Sequence, residues 1–232
     1  MQATFSIGYV DPVLGIAGAA TASKYPAVGA LTIHCRAGAG VVITQSIADR
    51  YHATLALPLL AANEDPGAVL KELLERDAQP WIRQIAVLRH DGHVACHNGE
   101  QCVPLVASVI QPGRVALGNM LASDQVPNAM VAALNQFLAD SPDQPNPPDH
   151  LHRETNRVAA ALIAALRAGE AAGGDARGKQ AAAVLVVAPG AGYGGIDDRA
   201  MDLRVDDHPN PVGELQRLLD VFLENQTREQ LE

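Results

Sequence analysis

The order of strand-type and helix-type segments most constrains the fold of this chain. Apolar and alternating segments typical of strands cluster toward the two ends, and amphipathic helical patterns lie between them. The strand candidates are residues 4–10, 14–20, 31–34, 41–44, 82–95, 115–117, 181–187 and 201–205. The helix candidates are residues 65–74, 126–138, 158–166 and 215–223. This order predicts an α+β fold in which helices cover two sheets.

The length of the chain limits it to one large domain or two small ones. It has 232 residues, and we expect residues 1–232 to form a single domain. A proline-rich stretch at residues 141–148 interrupts the pattern but is too short to establish a domain boundary. The hydrophobic fraction is 48% and the aromatic fraction only 3%, which predicts a core of Ala, Val, Leu and Ile.

Charge and cysteine content exclude several classes of partner. A net charge of −9 argues against nucleic acids and anionic membranes, because both require a basic surface. The sequence shows no signal-peptide pattern and no apolar run long enough to span a bilayer. Its 3 cysteines do not fit a disulfide framework. We therefore expect a cytoplasmic protein with no nucleic-acid or membrane partner.

Thr4 stands at the start of the first predicted strand. A Thr at a free N-terminus combines a hydroxyl nucleophile with an α-amine that can take its proton. The amine pKa is roughly 7.7–8.0, so a useful fraction is neutral at physiological pH. The position of Thr4 alone is weak evidence for a nucleophile, and the motifs that follow strengthen that evidence.

Six motifs carry a resemblance to a known family: TFSI, ATASK, RAGAGVVITQ, GNML, GEAAGGDARGKQ and GYGGIDDRAMDLRVDDHPNP. From Thr4 to about Leu219 the chain resembles the bacterial domain-of-unknown-function 1028 family, which is similar to the N-terminal-nucleophile (Ntn) hydrolase superfamily. The resemblance implies a four-layer αββα sandwich with the nucleophile at the start of a central strand. Some relatives carry a C-terminal segment resembling a peptidoglycan-binding module, which we expect this chain to lack.

The resemblance also implies roles for individual residues. Thr4 would be the nucleophile and its freed α-amine the general base. Lys24 or Arg36 would favour the ionised transition state, with a cationic head within about 6 Å of the Thr4 hydroxyl. The oxyanion donors would be the Asn119 side chain and the backbone of Gly38 and Gly40. A tight turn between strands is the simpler interpretation of the two glycines.

Four further residues are candidate substrate contacts. Ser23 and Gln45 follow the predicted strands that carry the motifs. Asp175 and Arg177 lie in the glycine-rich motif, where a loop-capping ion pair is the first interpretation. Recognition of a substrate carboxylate by Arg177 is the second.

The residues before Thr4 depart from the family pattern. Relatives usually begin Met-Thr, whereas Met1, Gln2 and Ala3 precede Thr4 here. Gln2 is a poor context for removal of the initiator Met. The alternatives are that the Ala3–Thr4 bond is cleaved under some conditions, that the true start codon differs, or that Thr4 is not a nucleophile.

Two clusters raise the question of a metal ion. Five aspartates lie between residues 197 and 207, but their Arg neighbours favour ion pairs over Ca²⁺ or Mg²⁺. His90, His93, Cys96 and His97 offer nominal zinc ligands, yet a hairpin turning at Asp91-Gly92 places them on different faces. We expect no metal and no cofactor. Cys35 lies beside Arg36, which could lower the pKa of its thiol, although a buried apolar Cys is commoner.

These observations leave two functional hypotheses. The first is an amidohydrolase that cleaves a small or cyclic amide through an ester on Thr4. The second is a non-catalytic ligand-binding or scaffold protein on the same fold. The sequence does not identify the substrate. A homo-oligomer, with a dimer as the simplest case, is compatible with the low aromatic content.

Overall fold

A computed structural model describes residues 4–102, 104–140 and 150–229. Its strands are β1 Thr4–Asp11, β2 Ile16–Ser23, β3 Ile33–Arg36, β4 Gly40–Ser46, β5 Arg83–Arg89, β6 Val94–Asn98, β7 Ala107–Gln111, β8 Arg114–Asn119, β9 Ala181–Val187 and β10 Arg199–Val205. Its α-helices are α1 Gly29–Thr32, α2 Tyr51–Ala61, α3 Pro66–Arg76, α4 Val126–Asp140, α5 His150–Ala171 and α6 Pro211–Glu229.

The strands form two antiparallel sheets. One sheet has six strands in the order β10-β9-β2-β1-β8-β7, and the other has four in the order β3-β4-β5-β6. The mixed α/β class predicted from the sequence is therefore confirmed. Strand β1 lies inside the larger sheet between β2 and β8, so both of its edges are paired.

Three clusters of buried apolar residues hold the sheets and helices together. The first joins the six-stranded sheet to α4, α5 and α6, and includes Phe5 and Ile7 of β1. The second lies between the two sheets and includes Val10 and Val41. The third joins the four-stranded sheet to α2 and α3. Burial of this apolar surface is the main force that stabilises the arrangement.

The space between the two sheets is apolar at one end and polar at the other. Side chains alternate along a strand, so the even-numbered residues of β1 face the second sheet while Phe5 and Ile7 face the helices. At the β1 end where Val10 lies, this space is filled by apolar side chains. At the opposite end, buried polar side chains replace them: Thr4, Ser6, Thr21, Ser23, Gln45, Gln84 and Asn119. We call this set the polar end of the inter-sheet layer.

Some elements differ from the sequence predictions. The hairpin turning at Asp91-Gly92 is present as β5 and β6. Helix α2 was not predicted, because Pro58 inside it obscures the helical pattern. The predicted proline-rich break at 141–148 and residues 1–3 lie outside the described residues. Over the described ranges, no helix combines the length and apolar character needed to cross a membrane.

Candidate functional site

Thr4, Ser23 and Asn119 come together at the polar end of the inter-sheet layer. The register of β1 pairs Thr4 with Ser23 of β2 on one side and with Asn119 of β8 on the other. Directly opposed residues of antiparallel strands share a face, so the three side chains point the same way. The Thr4 hydroxyl donates to Ser23 Oγ at 3.4 Å. Thr4 and Asn119 are completely buried.

Two glutamines of the four-stranded sheet complete this site. Gln45 Nε2 donates to the carbonyl oxygen of Thr4 at 3.3 Å and to Gln84 Oε1 at 2.8 Å. Asn119 Nδ2 donates to the same Gln84 oxygen at 3.1 Å. The Asn119 Oδ1 atom has no hydrogen-bond partner among the described residues. A buried acceptor without a donor is unfavourable, so this atom is suited to receive a donor from a ligand, a water or a processed N-terminus.

Ser6 extends the polar network along β1. Its hydroxyl lies 2.8 Å from Thr21 Oγ1 and 2.7 Å from Gln45 Oε1. The sequence prediction included Gln45 but missed Ser6, Thr21 and Gln84. An available signal was a polar residue at an inward-facing position of an otherwise apolar strand, as Gln84 is in β5.

Asp175 fixes the loop that borders the site. Its side chain is 1% exposed and forms an ion pair with the guanidinium of Arg177 at 2.8 Å. Its Oδ2 atom also accepts the backbone N–H of Lys24 at 2.7 Å. Asp175 therefore ties the end of β2 to the glycine-rich loop after α5. These contacts are those expected of the loop-capping ion pair.

The end of α5 is shaped by glycines that let Phe5 approach. Helix α5 ends in a turn in which Gly174 N–H donates to the carbonyl of Gly169, and Gly173 N–H to that of Glu170. Gly174 has a φ of +58°, and a Cβ there would lie 3.2 Å from Phe5. Only glycine combines this backbone conformation with such close contact. The turn thus positions the Asp175 loop beside β1.

A small cavity of about 60 Å³ reaches Ser23. It is bordered by Phe5 and Ala22, by residues 173–175 of the glycine-rich loop, and by Glu170 and Lys179. Phe5 and Ala22 are paired residues whose side chains face the helices, so this cavity lies on the opposite face of the six-stranded sheet from the Thr4 hydroxyl.

The structure places Arg36, Gly38 and Gly40 at the end of β4 opposite to Gln45, away from this group. Lys24 is exposed, and its Nζ donates to the carbonyl of Lys179 at 3.2 Å. Arg36 pairs with Gly40 at the end of β4 opposite to Gln45. The five steps from Gly40 to Gln45 span roughly 16 Å of strand. Arg36, Gly38 and Gly40 are therefore not brought to Thr4.

The structure gives the two glycines a role in a turn. Gly40 has a φ of +131°, and a Cβ there would lie 2.0 Å from the carbonyl oxygen of Leu88. Gly38 has a φ of +71°. These features match the tight-turn interpretation of the β3–β4 connection.

A second polar group lies on the other face of the four-stranded sheet. His52 Nδ1 is 3.2 Å from Thr44 Oγ1, and His52 Nε2 is 3.0 Å from Asp77 Oδ2. Burial lowers the pKa of His52 below its ordinary value, although the carboxylates of Asp49 and Asp77 oppose this shift. Burial alone would raise the pKa of Asp77, but hydrogen bonds led by that from Arg83 outweigh it and lower the pKa.

Asp49, His52 and Asp77 could supply three metal ligands, since their donor atoms lie within 4.8 Å of one another. The Arg83 guanidinium already fills the position of a cation there, because its Nε lies 2.6 Å from Asp77 Oδ2. An ion would have to displace Arg83. The group is therefore best described as a buried ion-pair network.

The residues that the sequence offered as metal ligands each contact a different partner in the structure. His90 contacts Asn63, His93 contacts Asp91, and His97 contacts the carbonyl of Pro80. In the aspartate-rich segment, Asp202 forms ion pairs with Arg199 at 3.0 Å and with Arg204 at 2.7 Å.

The cysteine nearest an arginine is not activated by it. Burial raises the pKa of the Cys35 thiol, and burial raises the pKa of the Cys96 thiol to about 11. Cys35 is therefore a protonated, weakly reactive thiol at neutral pH, and the lowered pKa considered from the sequence is not found.

Two antiparallel sheets covered by helices, with a buried polar group at the start of a central strand, define a mixed α/β protein. A family model described as a family of unknown function, DUF1028, matches residues 4–215, and the chain belongs to this family. The resemblance of the sequence motifs to the domain-of-unknown-function 1028 family is thus confirmed.

One solved structure gives a measure of similarity. The crystal structure of protein SPO2555 from Silicibacter pomeroyi, described with the same family model, is similar with a TM-score of 0.77. The two sequences are 28% identical, over 94% of this chain and 85% of that chain. No curated protein matches this chain.

Proposed function

We propose that this protein is an amidohydrolase of the N-terminal-nucleophile type, in which Thr4 attacks a small amide. The observation that carries the proposal is the convergence of Thr4, Ser23 and Asn119 in a buried polar group at the start of β1. A group of this kind inside an apolar protein is costly unless it is hydrogen-bonded, and such groups often mark functional sites. The three apolar clusters lie between helices and the first sheet, between the two sheets, and between the second sheet and helices. This order supports a four-layer αββα arrangement of the Ntn type.

The chemistry requires hydrolysis of the Ala3–Thr4 bond. The freed α-amine then takes the proton of the Thr4 hydroxyl while Oγ1 attacks the amide carbonyl carbon. One N–H of Asn119 donates to Gln84, and its second N–H is the donor we assign to the oxyanion. The protonated amine returns its proton to the leaving nitrogen as the C–N bond breaks. Water then cleaves the ester on Thr4 and regenerates the hydroxyl and the amine.

One observation favours the alternative, a non-catalytic ligand-binding or scaffold protein. Thr4 is completely buried, and its hydroxyl is engaged by Ser23. In that case Thr4 contributes packing and a hydrogen bond only. The state of the N-terminus separates the two proposals, because a free amine on Thr4 is needed by the first and irrelevant to the second.

The test compares two forms of the chain, one beginning at Met1 and one released from a fusion so that it begins at Thr4. Amide hydrolysis should be about 10²- to 10⁴-fold faster in the second form, because only it has a general base on Thr4. Intact mass of protein from its own host should show loss of residues 1–3.

The matched control is Thr54→Ala, which alters an exposed Thr on α2. Thr4→Ala should abolish hydrolysis while Thr54→Ala leaves it unchanged. A chain that retains Met1 in its host, together with the same activity in the Thr4→Ala variant, would exclude Thr4 as the nucleophile and leave the binding function.

A further inference from the structure

We propose that Asn119 orients the freed α-amine of Thr4 as a base, through its side-chain oxygen together with its backbone carbonyl. The inference rests on the function proposed for Thr4, because it concerns a chain that begins at Thr4. It makes Asn119 a positioning residue for the amine, in addition to the oxyanion contact of its amide nitrogen. The contact between the amine and Asn119 can be measured without any turnover.

The Asn119 side-chain oxygen is buried and has no donor to accept from. Asn119 is completely buried. Among the described residues, two buried side-chain atoms lack a hydrogen-bond partner, Asn119 Oδ1 and Ser46 Oγ. A hydroxyl can rotate and can either donate or accept, whereas an amide oxygen can only accept. Asn119 Oδ1 therefore requires a donor that the described residues do not supply.

Gln84 fixes which end of the Asn119 amide is unpartnered. Gln84 Nε2 donates to the backbone carbonyls of Gly118 at 3.0 Å and of Ala107 at 3.3 Å. Because a carbonyl oxygen can only accept, the two ends of the Gln84 amide cannot be exchanged. Gln84 Oε1 therefore accepts, and its donor is Asn119 Nδ2 at 3.1 Å. The oxygen of Asn119 is consequently the end of its amide that Gln84 does not hold.

The backbone nitrogen of Thr4 faces Asn119 across the ladder between β1 and β8. Val10 N–H donates to the carbonyl of Gly113 at 2.9 Å, in the same register that pairs Thr4 with Asn119. Hydrogen-bonded pairs alternate along an antiparallel ladder, so every second residue from Val10 back to Thr4 directs its N–H at β8. The Cα atoms of such a pair are about 5.5 Å apart. The Thr4 nitrogen and the Asn119 amide are thus neighbours.

Hydrolysis of the Ala3–Thr4 bond changes the donors on this nitrogen. In the peptide, the Thr4 nitrogen carries a single hydrogen, which the ladder directs to the Asn119 carbonyl. A neutral α-amine carries a second hydrogen and a lone pair. Donation of the second hydrogen to Asn119 Oδ1 gives that oxygen its missing partner. The lone pair is then left to take the proton of the Thr4 hydroxyl.

The described side chains at the polar end of the inter-sheet layer bring no charge to the amine. All members of this set are uncharged. The ionised side chains next to it in sequence have other partners, since Lys24 Nζ donates to the carbonyl of Lys179 at 3.2 Å and Arg83 Nε pairs with Asp77 at 2.6 Å. The ion pair in the loop after α5 is closed on itself. A negative charge placed at position 119 would therefore act on the amine directly.

The test measures the pKa of the Thr4 α-amine in the chain that begins at Thr4, by NMR of the amine nitrogen. Asn119→Asp keeps a side-chain oxygen and places a negative charge beside the amine, so it should raise this pKa by about 1–3. The wild type gives a second readout, in which the Asn119 side-chain amide signals titrate together with the amine. The rate of hydrolysis is unsuitable as the readout, because an N–H of Asn119 is also assigned to the oxyanion.

Asn63→Asp is the matched control, because Asn63 is an exposed residue in the turn after α2 whose side chain contacts His90. It adds the same charge and should leave the amine pKa unchanged. Equal amine pKa values in Asn119→Asp and Asn63→Asp would overturn the inference, as would Asn119 signals that do not follow the wild-type amine. Either result would leave Oδ1 to a water or to an N–H of the substrate. If Asn119→Asp does not fold, the wild-type titration decides alone.

The outcome is separable from that of the proposed function. If the amine pKa depends on Asn119 but the chain beginning at Thr4 hydrolyses no amide, the positioning contact stands and the catalytic proposal fails. If amides are hydrolysed while Asn119→Asp leaves the amine pKa unchanged, the catalytic proposal stands and the positioning role fails.

Discussion

The carboxylate of Asp175 accepts the backbone N–H of Lys24 at 2.7 Å, across 151 residues of sequence. The contact closes the end of β2 onto the loop after α5, directly beside Ser23. Asp175 therefore has a structural role at this end of β2.

Replacing Asp175 with Asn should destabilise the protein, although the two side chains have nearly the same size. The variant keeps an acceptor for the Lys24 N–H but removes the charge that pairs with Arg177. We expect the free energy of unfolding to fall by about 1.5–3 kcal/mol, the range for hydrogen bonds to charged groups. Urea denaturation measures this. Asp124→Asn, an exposed carboxylate, should change it by less than about 0.5 kcal/mol, and an equal effect of both variants would contradict the role of Asp175.

Two glycines with similar backbone conformations allow the cost of close packing to be measured separately from the cost of backbone strain. Gly174 and Gly190 have φ values of +58° and +67°. A Cβ on Gly174 meets Phe5 at 3.2 Å, whereas one on Gly190 meets nothing within 4 Å. Both Gly→Ala variants should lose about 1–2 kcal/mol from the left-handed conformation. Gly174→Ala should lose about 1–3 kcal/mol more through overpacking. Equal melting temperatures for the two variants would show that Phe5 moves aside freely.

The protein should lose stability as the pH falls below the ordinary pKa of histidine. The pKa of His52 is lowered in the folded state, so the unfolded chain takes up this proton at a higher pH than the folded chain does. Stability is therefore complete above about pH 6.5 and declines toward pH 5, by at most about 1.4 kcal/mol per pH unit for one group. The lowered pKa of Asp77 acts only at more acidic pH.

Urea unfolding of the wild type and of His52→Asn between pH 5 and 8 tests this prediction. The pH slope should be smaller in the variant, even though the variant is less stable throughout. Thr54→Ala changes an exposed side chain that does not titrate and should leave the slope unchanged. Identical slopes in the wild type and His52→Asn would assign the pH dependence to other groups, such as His34, whose pKa burial also lowers.

The thiols should react slowly with a disulfide reagent in the native state. Burial raises the pKa of Cys35, Cys96 and Cys102, so little thiolate is present at pH 7.5. We expect slow labelling in buffer and rapid labelling of all three in urea. Rapid native labelling at Cys35 would show that Arg36 activates it. A Cys35→Ser variant identifies the site.

The sequence singled out several members of the buried polar group but not their geometry. Thr4, Ser23 and Asn119 lie in short motifs at strand ends, and antiparallel pairing brings such ends together. Arg36 and Gln45 lie in one motif, but an extended strand separates them by most of its length. Position along a strand cannot be read from a motif without the register.

The alternation of β1 has a consequence for insertions and deletions. Phe5 and Ile7 pack against the helices, whereas the hydroxyls of Thr4 and Ser6 enter the layer between the sheets. Adding one residue between Thr4 and Phe5 would reverse the face of every residue on one side of it. Within β1, therefore, only length changes in steps of two preserve which side chains meet the buried polar group and which meet the apolar helices.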